Sequence, residues 1–127
     1  MSEPTDTETI SLAGWSAGHA RVLARSALPR MVAVIVDTNG DGHLIEFTMV
    51  HLDDDGGWRE VYSVGAGLSG EGQVLDVAYL HGYAPGQRAV TVELGEDQIS
   101  VEVTQSGWWI FLYETTDSSG SPRIAEG

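Results

Sequence analysis

Turn-forming clusters punctuate this chain so closely that most of it has no room for a helix. They are Asn39-Gly40-Asp41-Gly42, Asp53-Asp54-Asp55-Gly56-Gly57, Ser69-Gly70-Glu71-Gly72, Gly82 to Gly86, Gly95-Glu96-Asp97 and Ser106-Gly107. The runs between them alternate as half-buried strands do. Ile45, Phe47 and Met49 form one face of the run His43–His51, with Glu46 and Thr48 on the other. Leu75, Val77 and Tyr79 oppose Asp76 and Ala78. Val90, Val92 and Leu94 followed across Gly95-Glu96-Asp97 by Ile99, Val101 and Val103 make the clearest hairpin.

Trp108 to Tyr113 breaks the alternation by being apolar on both sides, as in a central strand covered twice or a strand whose outer face meets a partner. Successive side chains point to opposite faces, so Trp108 and Trp109 cannot share one core. Residues 14–28 fit either a helix capped by Ser16 or a strand, and Gly18 and Pro29 bound a segment short for a helix. The expected architecture is an all-β, antiparallel two-sheet sandwich of about seven or eight strands, similar in pattern to an immunoglobulin-like sandwich but with no disulfide. Residues 1–9 read as a disordered lead-in, 10–116 as the single packed domain, and 117–127 as a loop or flexible tail.

A chain of 127 residues without cysteine excludes disulfides, thiolate metal ligation and a cysteine nucleophile. Nineteen acids against six bases, all arginine, give a net charge of −13 and rule out direct nucleic-acid binding as an expectation. No signal-peptide pattern and no apolar run of roughly 18 residues is present, so neither a membrane span nor export is expected, and the default location is cytoplasmic.

Asp37-Thr38-Asn39-Gly40-Asp41-Gly42-His43 carries most of a calcium-loop signature, with Asp37, Asn39 and Asp41 at the first three ligand positions. Thr48 stands where the closing glutamate belongs, and the flanks are strand-like rather than helical. The same residues make a hairpin turn without metal. Asp53, Asp54 and Asp55 are a solvated turn, a second weak cation site or an acidic recognition patch. His43 and His51 lie about 26 Å apart along one strand, too far to share a metal.

Gly14-Trp15-Ser16-Ala17-Gly18 matches the hydrolase elbow letter for letter but lacks the preceding strand of an α/β sheet, leaving a Ser16–His81 hydrolase as a remote reading. No dinucleotide or phosphate loop has its βαβ setting. The expected function is a non-enzymatic protein-binding or assembly module without a cofactor, acting through an aromatic face of Trp109, Phe111 and Tyr113 rimmed by acidic turns. It would bind a protein partner or a second copy of itself. The alternatives are a calcium-stabilised β domain using Asp37, Asn39 and Asp41, and an acidic inhibitor or immunity-type protein that engages a basic partner.

Overall fold

The computed structural model describes residues 3–16, 18–94 and 96–115, together with the backbone of Arg123 and Ile124. One helix, α1 (Asp6–Leu12), precedes the strands β1 (Arg21–Leu28), β2 (Met31–Asp37), β3 (Ile45–Leu52), β4 (Trp58–Gly65) and β5 (Ser69–Val74). There follow β6 (Val77–Tyr83), β7 (Ala89–Leu94), β8 (Asp97–Glu102), β9 (Trp108–Glu114) and the two-residue β10 (Arg123–Ile124). They form three antiparallel sheets: β1-β2-β3-β4, β5-β6-β9 and β10-β7-β8. The mostly-β, antiparallel expectation holds, but a third sheet is added. The first sheet runs in simple chain order, whereas an immunoglobulin sandwich exchanges strands between its sheets. Among the described residues, nine strands of six to eight residues replace the expected seven or eight.

All seven residues of β2 are buried, because the first sheet is covered on both faces. Met31, Ala33 and Ile35 point inward with Phe47 and Met49, against Val77, Tyr79, Trp108, Ile110 and Leu112 of the second sheet. Val32, Val34 and Val36 point outward with Val50 and pack with Ile10 of α1 and with Trp15 and Trp58. A bulge at Leu23 shifts the phase of β1: Val22 pairs with Val36 on the outer side, yet Ala24 pairs with Ile35 on the inner side. Arg25 is thereby aimed outward. The Leu23 carbonyl, released from the ladder, accepts hydrogen bonds from the hydroxyls of Thr104 and Ser106 at 2.7 and 2.8 Å.

Residues 1–9, expected to be disordered, instead contain most of α1. Its start is a capping box: Thr5 Oγ1 accepts from the Glu8 amide at 3.1 Å and the Glu8 carboxylate accepts from the Thr5 amide at 2.9 Å. A helix of seven residues does not persist alone in water. Burial of Ile10, worth about 1.5–3 kcal/mol, holds it more than the ion pairs of Arg25 to Glu3 and Asp6 at 2.9 Å, since pairs exposed on one side contribute at most about 1 kcal/mol each.

Ser69-Gly70-Glu71-Gly72, expected to be a turn, is the body of β5. The reason lies across the strand pair. Gly70 pairs with His81 and Gly72 with Tyr79, and each ring lies over its glycine partner; Trp109 lies over Gly82 in the same way. These glycines remove side chains so that aromatic rings can lie flat on the backbone. The hairpin turn is at Leu75 and Asp76, inside the stretch expected to be one strand. Of the expected tail, only the pairing of Arg123 and Ile124 with Glu93 and Val92 falls within the described residues. Within the ambiguous stretch, Gly18 and His19 form a turn and Arg21–Leu28 form β1. Among the described residues no helix is long and apolar enough to cross a membrane.

A Cβ at Gly82 would sit 2.8 Å from the Trp109 ring, so Gly82→Ala is expected to destabilise the protein by about 1–3 kcal/mol in urea unfolding. Gly65→Ala, where a Cβ meets nothing within 4 Å, serves as the control. Equal midpoints for the two variants would contradict the ring-on-glycine packing.

Candidate functional site

Asp37 ends β2 and turns back on its own loop. Its Oδ1 accepts from the Gly40 amide at 3.0 Å and its Oδ2 from the Gly42 amide at 2.7 Å. Asp41 Oδ1 accepts separately from the His43 amide at 3.1 Å, and Asn39 is exposed. The carboxylates thus cap the β2–β3 turn, the role Asp commonly fills in tight connections. Among the described residues no group of three or more His, Asp or Glu side chains converges as a metal site would require.

The three acids of the next turn are likewise divided. Asp53 pairs with Arg59 and lies 3.8 Å from His51 Nδ1, Asp54 lies 3.3 Å from Arg30, and Asp55 accepts from the Gly57 amide at 2.9 Å. Separate partners are the expected outcome where adjacent like charges repel.

The β9 face is partly covered. Trp109, Phe111 and Tyr113 share one side of the strand, but Trp109 is only 2% exposed, packed with Leu80, Val92 and Val103 beneath the β7–β8 hairpin. Phe111 lies at the border of that cluster and Tyr113 beyond it, their rings stacked 5.9 Å apart. Burial, and then the charge of Glu71, push the Tyr113 phenol above its usual range, so it remains a neutral hydroxyl at physiological pH. At the same end of the sheet stands Leu75, the hairpin tip, with φ of 56° and 58% exposure. The left-handed region costs a branched L-residue about 1–2 kcal/mol. The tip is held there by Gln73 Nε2, which donates to the Leu75 carbonyl at 3.0 Å, and by Thr115, whose amide and hydroxyl donate to the Asp76 carbonyl at 2.8 and 3.0 Å. Sequence reasoning had no signal for Leu75, since nothing distinguishes it from an ordinary strand leucine.

His81 and Ser16 do not meet. Ser16 is exposed in the turn before β1, whereas His81 is 3% exposed between the first two sheets, stacked on Phe47 at 4.6 Å and parallel to Tyr79 at 5.9 Å. Its Nδ1 has no hydrogen-bond partner among the described residues. Tyr79 donates weakly to the Tyr62 hydroxyl at 3.4 Å, and burial drives its own ionisation upward. Burial holds the His81 imidazole below its ordinary value, because a charged ring in this aromatic layer would lose its hydration.

No protein-family model, curated protein or solved structure matches the chain.

Folded His81 binds a proton more weakly than the unfolded chain does. Its contribution is therefore complete above the ordinary value of about 6.5 and is lost as pH falls from there toward the folded value. The stability of the wild type relative to His81→Leu is expected to decline between pH 7 and pH 5 in paired urea titrations; parallel curves would contradict the buried neutral imidazole. Because the oxygens of Asp37 are already occupied by amides, millimolar calcium is expected to leave the thermal midpoint unchanged, and a rise reversed by chelator would contradict that assignment.

Proposed function

We propose that this protein is a non-enzymatic binding module that engages a basic protein partner through the partly covered end of its second sheet, formed by exposed Leu75 and half-buried Phe111 and Tyr113 with Glu71 at the rim. The supporting observation is Leu75. A leucine held at φ of 56° and more than half exposed contributes nothing to the core, and glycine or asparagine would occupy the position with less strain. Strain retained on the surface points to a contact outside the chain. Tyr113 supplies an amphipathic ring and a neutral hydroxyl beside it, the composition of an interface anchor.

Charge selects the partner. Glu71, Asp76 and Glu114 are exposed around the strip, and the chain carries −13 overall. A twofold self-contact would bring those carboxylates together, whereas a basic surface is steered toward them. The protein is accordingly read as a monomer until it meets that partner.

Leu75→Asn separates the two roles of the residue. It is expected to hold or raise the thermal midpoint, by up to about 1–2 kcal/mol in stability, while weakening capture of the partner. The experiment is affinity capture from native extract with wild type, Leu75→Asn and Tyr113→Ser. A basic protein eluted by salt and lost with both variants supports the reading. Equal capture by all three, or self-association of the wild type in sedimentation, contradicts it.

A further inference from the structure

On the opposite side of the molecule, between α1 and the first residue of β4, lies a cavity of about 710 Å3 lined by Glu3, Pro4, Thr7, Glu8, Leu12 and Trp58 among others. Its volume falls in the range of ligand pockets, roughly 300–1,000 Å3. Pro4 is buried and Trp58 half-buried, so the walls combine apolar surface with an indole. Two carboxylates line it and no basic side chain does. The Arg25 guanidinium is already held by Glu3, Asp6 and the Pro4 carbonyl, so Glu3, Asp6 and Glu8 outnumber it at this helix turn. The Thr5 amide, and then its side chain, keep the Glu8 carboxyl below its usual range, so it stays ionised through mild acid.

We infer that this cavity is a recognition pocket for an arginine side chain presented by a partner polypeptide, with Trp58 receiving the guanidinium and Glu3 and Glu8 supplying the counter-charge. The chemistry narrows to that group in steps. An anion is repelled by the two carboxylates, and a cation adds the compensation a neutral ligand does not, since Glu3 shares its one guanidinium with Asp6 and Glu8 is met by the neutral Thr5 amide. Among cations, a planar guanidinium can stack on an indole and fork to a carboxylate at once, whereas an ammonium offers a point charge. Free arginine carries its own carboxylate into an acidic pocket, which favours the residue within a chain. The pocket stands on observations separate from the Leu75 strip, and either site can fail without the other.

The test is an NMR titration of the intact protein with N-acetyl-arginine amide, following α1 amides and the Trp58 indole. Saturable shifts at those positions are expected at millimolar ligand, with no comparable shifts from N-acetyl-citrulline amide, the neutral isostere. The double variant Glu3→Gln, Glu8→Gln is expected to weaken binding by about tenfold. Gln at position 8 preserves the capping box, so the fold is expected to survive, as an unchanged far-ultraviolet spectrum would verify. Equal shifts from citrulline amide, tighter binding of the lysine counterpart or of free arginine, or no shift at α1 and Trp58, would overturn the assignment.

Discussion

Seven consecutive buried residues, Met31 through Asp37, oblige the first sheet to be covered on both faces, and the rest of the molecule is arranged around meeting that need. The inner cover is the second sheet, which brings Tyr79, Trp108, Ile110 and Leu112 against Ala33, Ile35, Phe47 and Met49. The outer cover is assembled from small parts: α1, the turn at Trp15 and the start of β4 at Trp58. The bulge at Leu23 serves both arrangements. It turns Ala24 inward, turns Arg25 outward to the acids near α1, and frees a carbonyl that Thr104 and Ser106 take up just before β9.

The second sheet repeats the problem with fewer resources. Its inner face is filled by the first sheet, and its outer face by the β7–β8 hairpin, which reaches Leu80 and Trp109 but leaves Tyr113 outside that cluster. The glycines of β5 allow the rings of β6 to lie on the edge strand, which removes side chains from that edge and leaves Leu75 as the apolar tip. The half-buried strip is thus the remainder of a sheet only partly covered among the described residues, made distinctive by a strained, exposed leucine at its end.

Alternation made β7 and β8 legible in the sequence, because each has one face on a core and one toward solvent, and it made β3 legible through Ile45, Phe47 and Met49 although Thr48 and Val50 on its other face are buried as well. The doubly apolar β9 was also legible: Trp108 and Trp109 enter different clusters, as opposite-facing neighbours must. Two features were misread for physical reasons. Glycine in a strand looks like a turn until the aromatic partner across the ladder is known. The helix α1 was hidden by its polar composition, since only Thr9 and Ile10 are buried, although Thr5 and Glu8 stood at capping-box spacing. The Asp37 loop left a turn and a cation site both open in the sequence, because turn-capping carboxylates and calcium ligands use the same residues, and the structure shows its carboxylates capping the turn. Neither the φ of Leu75 nor the cavity beside Trp58 has any local sequence signature.

Side-chain footprinting with a carbene or hydroxyl-radical probe tests most directly the claim that covering is complete at one end of β9 and incomplete at the other. The account requires Trp108 and Trp109 to be protected in the native protein while Leu75 and Tyr113 are modified, with half-buried Trp58 between them. Modification of Trp109 as fast as Tyr113, or protection of Leu75 in the isolated protein, would contradict it.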